Sequence, residues 1–254
     1  MQPAIVFPLH DPDGSMFPHL ETINPQLKSV FAHAFLGISP ITEQKQSERV
    51  RRLKEEGFFQ LSTCKPNSLV GEQFVSTYWH AATASPPLQV LHLCFPDRVA
   101  FALQSKHKEQ FIADVKVVEA AHTPLLFQRS DAAWRTHPKN YAETERMAIR
   151  VGEMLIGKSF DWTWCHLAVQ AQQLREILPH VRCRDMTVLA EIVFWLKDRL
   201  QTKDVDWLAW EDPYLYARDA DELRRERENT VLETRKRLSY VIPVIQFLYE
   251  SIKA

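Results

Sequence analysis

The sequence predicts an α/β fold with a mainly parallel sheet flanked by helices and a helical C-terminal part. Short apolar runs alternate with helical patterns through residues 1–100, and most later segments have helical patterns. Such alternation is typical of parallel strands that are joined by helical crossovers. The chain has 254 residues, of which 45% are hydrophobic and 25% charged. It can therefore bury a substantial core, and a mainly disordered protein is excluded.

Four short apolar runs are strand candidates in the first hundred residues, because turn-forming residues bound them. They are residues 4–9, 33–38, 58–61 and 88–94. The helical spacing of apolar residues predicts the intervening helices over residues 17–31, 41–56 and 68–83. In the second of these helices, Thr42 is the predicted N-cap and Gly57 the predicted C′ residue.

The later part of the chain is mainly helical in pattern. Helices are predicted over residues 101–117, 141–155, 167–178 and 186–200. Short strands are predicted over residues 125–127 and 207–210. One long helix is predicted over residues 221–252, with a kink or an end at Pro243. Because no repeat or linker interrupts the chain, we expect a single domain over residues 1–254.

Composition excludes several classes of protein. The net charge of −1 argues against a strongly basic nucleic-acid binder. No run approaches the ~18 apolar residues of a membrane span, and the first residues lack the basic segment of a signal peptide. We therefore expect a cytoplasmic protein. The 4 cysteines and 10 histidines have no zinc-binding spacing, and only 6 glycines are present.

Polar loops follow the candidate strands, at residues 11–14, 39–42, 64–68 and 95–98. If the strands are parallel, these loops meet at the sheet edge where α/β proteins bind ligands. In the first loop, Asp11 and Asp13 could hold a divalent cation, or one could attack phosphorus while the other moves protons. This loop is similar to the D-x-D-G-[TS] signature of haloacid-dehalogenase-like phosphatases. A simple turn is the alternative, since Asp, Pro and Gly favour turns.

Other polar residues are candidates for binding a charged or hydroxylated ligand. Asp97 could hold a metal that bridges a diphosphate, and Arg98 could pair with phosphate oxygens, or the two could form a surface ion pair. Arg135 and His137 offer donors to an anionic or hydroxyl-rich ligand, although a solvated loop is the alternative. Trp162 lies in an aromatic segment that suits either a sugar site or core packing.

Two acidic positions are candidates for proton transfer. Glu191 lies in an apolar helical segment, where a lone carboxylate costs free energy unless it is paired or functional. A solvated helix position is the alternative. Asp212, next to Glu211, follows the strand candidate at residues 207–210.

The order of these pieces resembles a divergent GT-A-type, nucleotide-diphospho-sugar transferase-like glycosyltransferase. The resemblance covers about the first 215 residues as a pattern. Its parts are the loops at 7–11 and 37–42, the helix headed by Gly71, the strand end at 94–98 and the segment 129–145. Members of this family usually carry a metal-binding D-x-D at the strand end. Here Phe95 replaces the first acid and Asp97 is the second.

The resemblance implies a nucleotide-binding half over residues 1–100, an acceptor-side half over 101–220 and a C-terminal helix over 221–254. It implies a nucleotide-sugar donor, an unknown acceptor and Mn²⁺ or Mg²⁺ at Asp97. The implied nucleotide-binding residues are Pro8, His10, Asp11, Ser39, Thr42 and Arg98. The implied sugar-binding residues are Arg135, His137 and Trp162. Glu191 is the implied base for the acceptor, and Glu211 or Asp212 is the alternative.

The leading hypothesis is therefore a glycosyltransferase that moves a sugar from a nucleotide-sugar to an unknown acceptor. A cation or Arg98 would neutralise the departing diphosphate, and a carboxylate would take the proton of the acceptor hydroxyl. One alternative is a non-catalytic GT-A-like binding protein, favoured by the missing acid at Phe95. The other is a phosphatase that acts through Asp11 and Asp13.

Overall fold

The computed structural model describes residues 1–118, 123–163 and 166–252, so Cys165 lies outside the described residues. Its strands are β1 (Ala4–Leu9), β2 (Ala34–Ile38), β3 (Phe59–Thr63), β4 (Val90–Leu93), β5 (Leu125–Arg129), β6 (His166–Gln170) and β7 (Gln201–Val205). These seven strands form one mixed sheet in the order β3-β2-β1-β4-β6-β5-β7. β1 to β4 are mutually parallel, as predicted, and β7 is parallel to β5. β6 runs antiparallel to both β4 and β5.

Helices flank this sheet on both faces. Within the described residues they are α1 (Phe17–Val30), α2 (Pro40–Lys45), α3 (Ser47–Glu55), α4 (Val70–Ala84), α5 (Pro96–Gln104), α6 (Lys108–Val118), α7 (Asp131–Thr136), α8 (Lys139–Ile156), α9 (Ala171–Ile177), α10 (Val188–Leu196), α11 (Asp212–Leu215), α12 (Ala220–Glu228) and α13 (Val231–Ser251). Short 3₁₀ turns cover Leu178–His180 and Asp206–Leu208. The prediction of an α/β fold with a mainly parallel sheet and a helical C-terminal part is confirmed.

The core lies on both faces of the sheet, because successive strand side chains point in opposite directions. On β1, Ile5 and Phe7 belong to the core on one face, together with residues of α1, α5 and α6. Ala4 and Val6 belong to the core on the other face, together with residues of α4, α9, α10 and α13. The strands are thus covered on both sides, as their continuous apolar sequences require.

A pair of histidines is buried in the middle of the sheet. His92 on β4 and His166 on β6 are fully enclosed, and their ring nitrogens Nε2 and Nδ1 lie 3.3 Å apart. The His92 ring stacks on Phe127, with 5.4 Å between ring centroids. Burial lowers the pKa of His92 to about 3 and also holds the pKa of His166 well below its usual value. Both rings are therefore neutral in the folded protein.

Several predicted helices are divided in the structure. The segment 41–56 forms α2 and α3, and the N-cap is Ser39, whose hydroxyl accepts from the Thr42 N–H at 3.4 Å. Gly57 has a φ of 71°, as expected of a C′ glycine. The segment 101–117 contains the end of α5 and most of α6, separated by residues 105–107, and the segment 221–252 is divided into α12 and α13. α13 continues through Pro243 without ending there.

Two predictions mistook the element type. Residues 167–170 belong to strand β6, although the pattern indicated a helix over 167–178. A short apolar run fits both types, and pairing with β4 and β5 decides between them. The predicted strand at 207–210 overlaps the 3₁₀ turn Asp206–Leu208, and the strand β7 comes immediately before it.

Candidate functional site

Two neighbouring cavities lie beyond the carboxyl ends of the central strands. The first, of about 480 Å³, adjoins the loop after β1 and the start of α4, and we call it the loop cavity; its wall includes Pro8, His10, Asp11, Met16 and Phe74. The second, of about 350 Å³, lies between the end of β5 and the helices α8, α12 and α13, and we call it the basic cavity; its wall includes Arg129, His137, Arg227, Lys236 and Arg237.

The two cavities share one wall, which is formed by Phe95, Asp97, Met186, Asp212 and Tyr216. Asp97 lies in the first turn of α5, and Asp212 begins α11. The loop after β1 and the segment after β4 line the same loop cavity, as the prediction of parallel strands requires. The shared wall places a pair of carboxylates where both cavities reach them.

The Asp97 carboxylate accepts the N–H of Arg98 at Oδ1, over 2.8 Å. Burial raises the pKa of Asp97, the positive charge of Arg98 opposes this, and the carboxylate of Asp212 adds to it. Asp212 has its Oδ2 4.0 Å from a guanidinium nitrogen of Arg227. Hard oxygen donors of this kind suit Mg²⁺ or Mn²⁺, so Asp97 and Asp212 are the residues of this wall that fit a divalent cation.

Arg98 is engaged inside the protein. Its guanidinium pairs with the Glu211 carboxylate, and its Nη1 donates to the Ala209 carbonyl at 3.1 Å. Burial lowers the pKa of Arg98 to about 10. These contacts hold the segment 209–212, and with it Asp212, against the start of α5. Arg98 lines the basic cavity, but its existing partners make it a positioning residue for Asp212 as much as a phosphate ligand.

A buried charge network forms the floor of the basic cavity. Arg129, at the end of β5, donates from Nε and Nη2 to Asp161 at 2.7 and 2.8 Å, and from Nη1 to Glu145 at 2.5 Å. Its guanidinium also lies 3.6 Å from the centre of the Trp134 ring. Burial alone would lower the pKa of Arg129, but the carboxylates of Asp161 and Glu145 raise it above its ordinary value.

An ion pair and a hydrogen bond connect the C-terminal helices to this floor. Arg237 of α13 donates to Glu145 of α8 at 3.1 Å and stacks over the Tyr141 ring at 3.7 Å. The Tyr141 hydroxyl donates to Glu233, which also accepts from Arg227 at 2.5 Å. α13 is therefore fixed to α8 by an ion pair and a hydrogen bond, and α12 is fixed to α13 by the ion pair of Arg227 and Glu233.

No pattern in the sequence indicates this arrangement of the C-terminal helices. The charged run at 221–228 has the pattern of a solvated helix face, and no local signal shows that α13 approaches α8. The spacing of histidines and cysteines in the sequence also does not indicate a second cluster. The potential metal-binding atoms of His92, Cys94 and His166 lie within 4.8 Å of one another. Those three side chains are buried in the core under the sheet, away from both cavities.

Five of the six predicted nucleotide-binding residues lie at or behind the loop cavity, whereas Arg98 lines the basic cavity. Pro8, His10 and Asp11 line it directly. Ser39 and Thr42 lie behind them: the Ser39 hydroxyl is 2.9 Å from His10 Nδ1, and the Thr42 hydroxyl accepts from the Asp11 N–H at 2.7 Å. The loop after β2 therefore supports the loop after β1.

Asp11 and Asp13 do not form a phosphatase pair. The Asp11 carboxylate accepts from the N–H and hydroxyl of Ser15, both at 3.0 Å, and from the N–H of Met16 at 2.8 Å. The Asp11 carboxylate therefore stabilises the turn before α1, and both of its oxygens already accept hydrogen bonds. Asp13 is exposed and does not line the loop cavity. The turn interpretation explains this motif, and the phosphatase alternative lacks its two converging acids.

Three other predicted residues lie away from the cavities. Glu191 is buried in α10, where its Oε2 accepts the N–H groups of Arg182 and Cys183 at 2.9 and 2.8 Å. It anchors the loop that carries Met186 to the shared wall, and it lines neither cavity. Trp162 is 1% exposed in the core, and Arg135 is exposed on α7. The structure therefore places Glu191 and Trp162 in the packed interior and Arg135 on the surface, outside both cavities.

Comparisons with known proteins identify the class of fold. No protein-family model matches the chain, and no curated protein matches it. Similar solved structures include glucosyl-3-phosphoglycerate synthase from Mycobacterium tuberculosis in complex with Mn²⁺, UDP and phosphoglyceric acid. That structure is 10% identical, has a TM-score of 0.52, and is matched over 95% of this chain and 78% of its own.

Two further complexes of the same synthase are similar to this chain. The complex with Mn²⁺, UDP-glucose and phosphoglyceric acid is 11% identical with a TM-score of 0.51, and the UDP complex is 10% identical with a TM-score of 0.50. Each is matched over 96% of this chain and 79% of its own. At these identities the comparisons show a GT-A-like, glycosyltransferase-type fold. Among the described residues, no helix is both long and apolar enough for a membrane span.

Proposed function

We propose that the protein transfers a sugar from a nucleoside-diphosphate sugar to an acceptor, with the nucleotide in the loop cavity and the acceptor in the basic cavity. The observation that carries this proposal is the shared wall, where Asp97 and Asp212 face both cavities at the carboxyl end of β4. This edge is the usual ligand site of open α/β sheets. The similar structures, which contain UDP or UDP-glucose, support a uridine nucleotide as the first donor to test.

Asp97 would hold Mn²⁺ or Mg²⁺, and such an ion supplies positive charge that neutralises the departing diphosphate. Pro8, His10 and Asp11 would contact the nucleotide, with Ser39 and Thr42 keeping this loop in place. Asp212, between the two cavities, would take the proton of the acceptor hydroxyl.

Arg98 keeps Asp212 in this position through its bonds to Ala209 and Glu211. The cationic wall of the basic cavity, which includes Lys236 and Arg227, suits an acceptor with a negatively charged group. Because Glu191, Trp162 and Arg135 line neither cavity, we leave them out of the proposed site.

One observation favours a second candidate, a non-catalytic nucleotide-binding protein of this fold. Phe95 occupies the position of the first acid of D-x-D and packs edge-on against Phe74, with 5.5 Å between ring centroids. An aromatic ring there offers no oxygen to a cation. A protein of this kind would bind the nucleotide-sugar and leave it intact.

The first experiment is thermal and urea unfolding of the full chain with UDP, GDP, dTDP and CDP, each with and without Mn²⁺. A nucleotide at 100 times its Kd should stabilise the protein by about 2.7 kcal/mol. Asp97→Asn should remove the Mn²⁺-dependent part of this shift, while the exposed control Asp13→Asn should keep it. If no nucleotide stabilises the wild type, both candidate functions fail.

Hydrolysis of the corresponding nucleotide-sugar then separates the two candidates. A transferase should release sugar slowly to water, and Asp212→Asn should reduce this rate by about 10²–10⁴-fold without weakening nucleotide binding. Binding of the nucleotide-sugar without turnover, for all acceptors and metals tried, would support the non-catalytic candidate.

A further inference from the structure

The basic cavity contains polar atoms that the protein leaves without partners. Four buried nitrogen atoms have no hydrogen-bond partner among the described residues: His137 Nε2, Trp210 Nε1, Arg227 Nε and Arg237 Nε. All four side chains line the basic cavity. An unsatisfied buried polar group destabilises the folded protein, so the concentration of such groups in one cavity indicates a polar ligand.

The chemical state of His137 follows from its surroundings. Its Nδ1 lies 3.0 Å from the Ala133 carbonyl oxygen, which can only accept, so Nδ1 carries the proton. Burial, together with the positive charges of Arg129 and Arg98, holds the pKa of His137 well below its usual value. The ring is therefore neutral, and its Nε2 is an unprotonated acceptor that needs a donor from the ligand.

Trp210 supplies the opposite group. Its indole N–H can only donate, and its side chain is 5% exposed, as is that of His137. The backbone N–H of Trp210 donates to the Thr136 hydroxyl at 2.8 Å, and Thr136 directly precedes His137 in the chain. An acceptor and a donor are thus held on adjoining segments of the same cavity wall.

We propose that His137 and Trp210 form a hydroxyl-binding subsite for a sugar or another polyol. A hydroxyl group both donates and accepts hydrogen bonds, so a ligand that carries hydroxyl groups can satisfy both residues. A phosphate oxygen would accept from Trp210 but would leave the neutral His137 without a donor. A metal ion could bind His137 Nε2 but would leave the Trp210 N–H without an acceptor. This inference rests on the proposed function in one respect: the hydroxyl group would belong to the donor sugar or to the acceptor.

The first test concerns the free protein. In the full chain labelled with ¹⁵N-histidine, the His137 signals are assigned by their loss in His137→Gln. We expect a proton on Nδ1, none on Nε2, and no titration across the range of an exposed histidine, about pH 5.5–7.5. A protonated Nε2, or a midpoint near 6.5, would overturn the subsite.

The second test adds D-glucose, glycerol, UDP, or UDP-glucose with Mn²⁺ to the labelled protein. A change of the Nε2 resonance with UDP-glucose and not with UDP assigns the hydroxyl to the donor sugar. A change with free D-glucose or glycerol assigns it to an acceptor-type polyol. If none of the hydroxylated probes changes the resonance, the subsite is wrong, even where UDP binds. If a polyol changes it and no nucleotide binds, the subsite stands and the proposed function fails.

Variants then measure the contribution of each group to binding of the probe that responds. His137→Phe and Trp210→Phe should each weaken that probe about tenfold and leave UDP binding unchanged. His137→Gln places an acceptor near the position of Nε2 and should recover most of the loss. Arg135→Gln, on the exposed side of α7, is the matched control and should have no effect. Equal affinity in wild type and both Phe variants would contradict the proposal.

Discussion

Replacement of His92 by leucine should reduce the loss of stability that the protein undergoes in acid. The pKa of His92 is 6.5 in an unfolded chain and about 3 in the folded protein. Below pH 6.5 the unfolded chain takes up a proton that the folded protein does not bind, so the free energy of unfolding falls as the pH falls. The loss is about 1.4 kcal/mol for each pH unit, or about 2 kcal/mol at about pH 5.

Leucine cannot be protonated, and it matches the apolar surroundings of this site. His92→Leu loses the contact with His166 at every pH, so its stability is offset from that of the wild type. Between about pH 8 and pH 5, however, its unfolding free energy should fall by about 2 kcal/mol less than that of the wild type. Urea unfolding at the two pH values measures this difference.

The control is His180→Gln, a histidine replacement at an exposed position. Its free energy of unfolding should fall by the same amount as that of the wild type. If His92→Leu loses as much free energy on acidification as the wild type does, a buried neutral His92 is not the cause of the acid sensitivity.

Three other substitutions test packing and charge around the site. Gly71→Ala places a Cβ 2.5 Å from the carbonyl carbon of Arg184, so we expect urea unfolding to show a loss of about 1–3 kcal/mol. Unchanged stability would contradict this close approach. Glu191→Leu leaves two backbone amides unpaired and should cost about 1–3 kcal/mol, whereas Glu191→Gln should retain stability and donor turnover. If the Gln variant is stable but has no turnover, Glu191 is a catalytic residue and its exclusion from the proposed site is wrong. Arg129→Met leaves Asp161 buried without its cation and leaves Glu145 with Arg237 as its remaining cation, so it should cost about 3–5 kcal/mol at neutral pH. Part of this loss should be regained in acid, where the carboxylates are protonated, and a loss independent of pH would refute the argument.

The first four strands could be predicted because their signals are local. Each is a short apolar run next to turn-forming residues, and the order of strands and helices indicates parallel pairing. The strand β6 has no such signal, since the residues of His166–Gln170 suit a helix equally well. Its direction depends on β4 and β5, which are distant in the chain, so periodicity within the segment could not reveal it.

The same distinction applies to the site. Asp97 and the loops after β1 and β2 could be located because they follow recognisable strands. The partners of the charged residues could not be predicted, because they are distant in sequence or are backbone groups. Arg98 pairs with Glu211, and Glu191 accepts from backbone amides, only in the folded chain. Arg237 lies on a charged helix whose sequence looks solvated, and its place beside Glu145 results from the packing of α13 on α8.

Because the two cavities share one wall, the ligands proposed for them should be thermodynamically coupled. A cation or ligand that neutralises Asp97 from the loop cavity also removes negative charge from the boundary of the basic cavity. An anion in the basic cavity is then repelled less, so each ligand should increase the affinity of the other. Reciprocity requires the two enhancements to be equal, whichever ligand arrives first. Cooperativity between donor and acceptor would thus arise from two carboxylates, without any movement of one part of the protein against another.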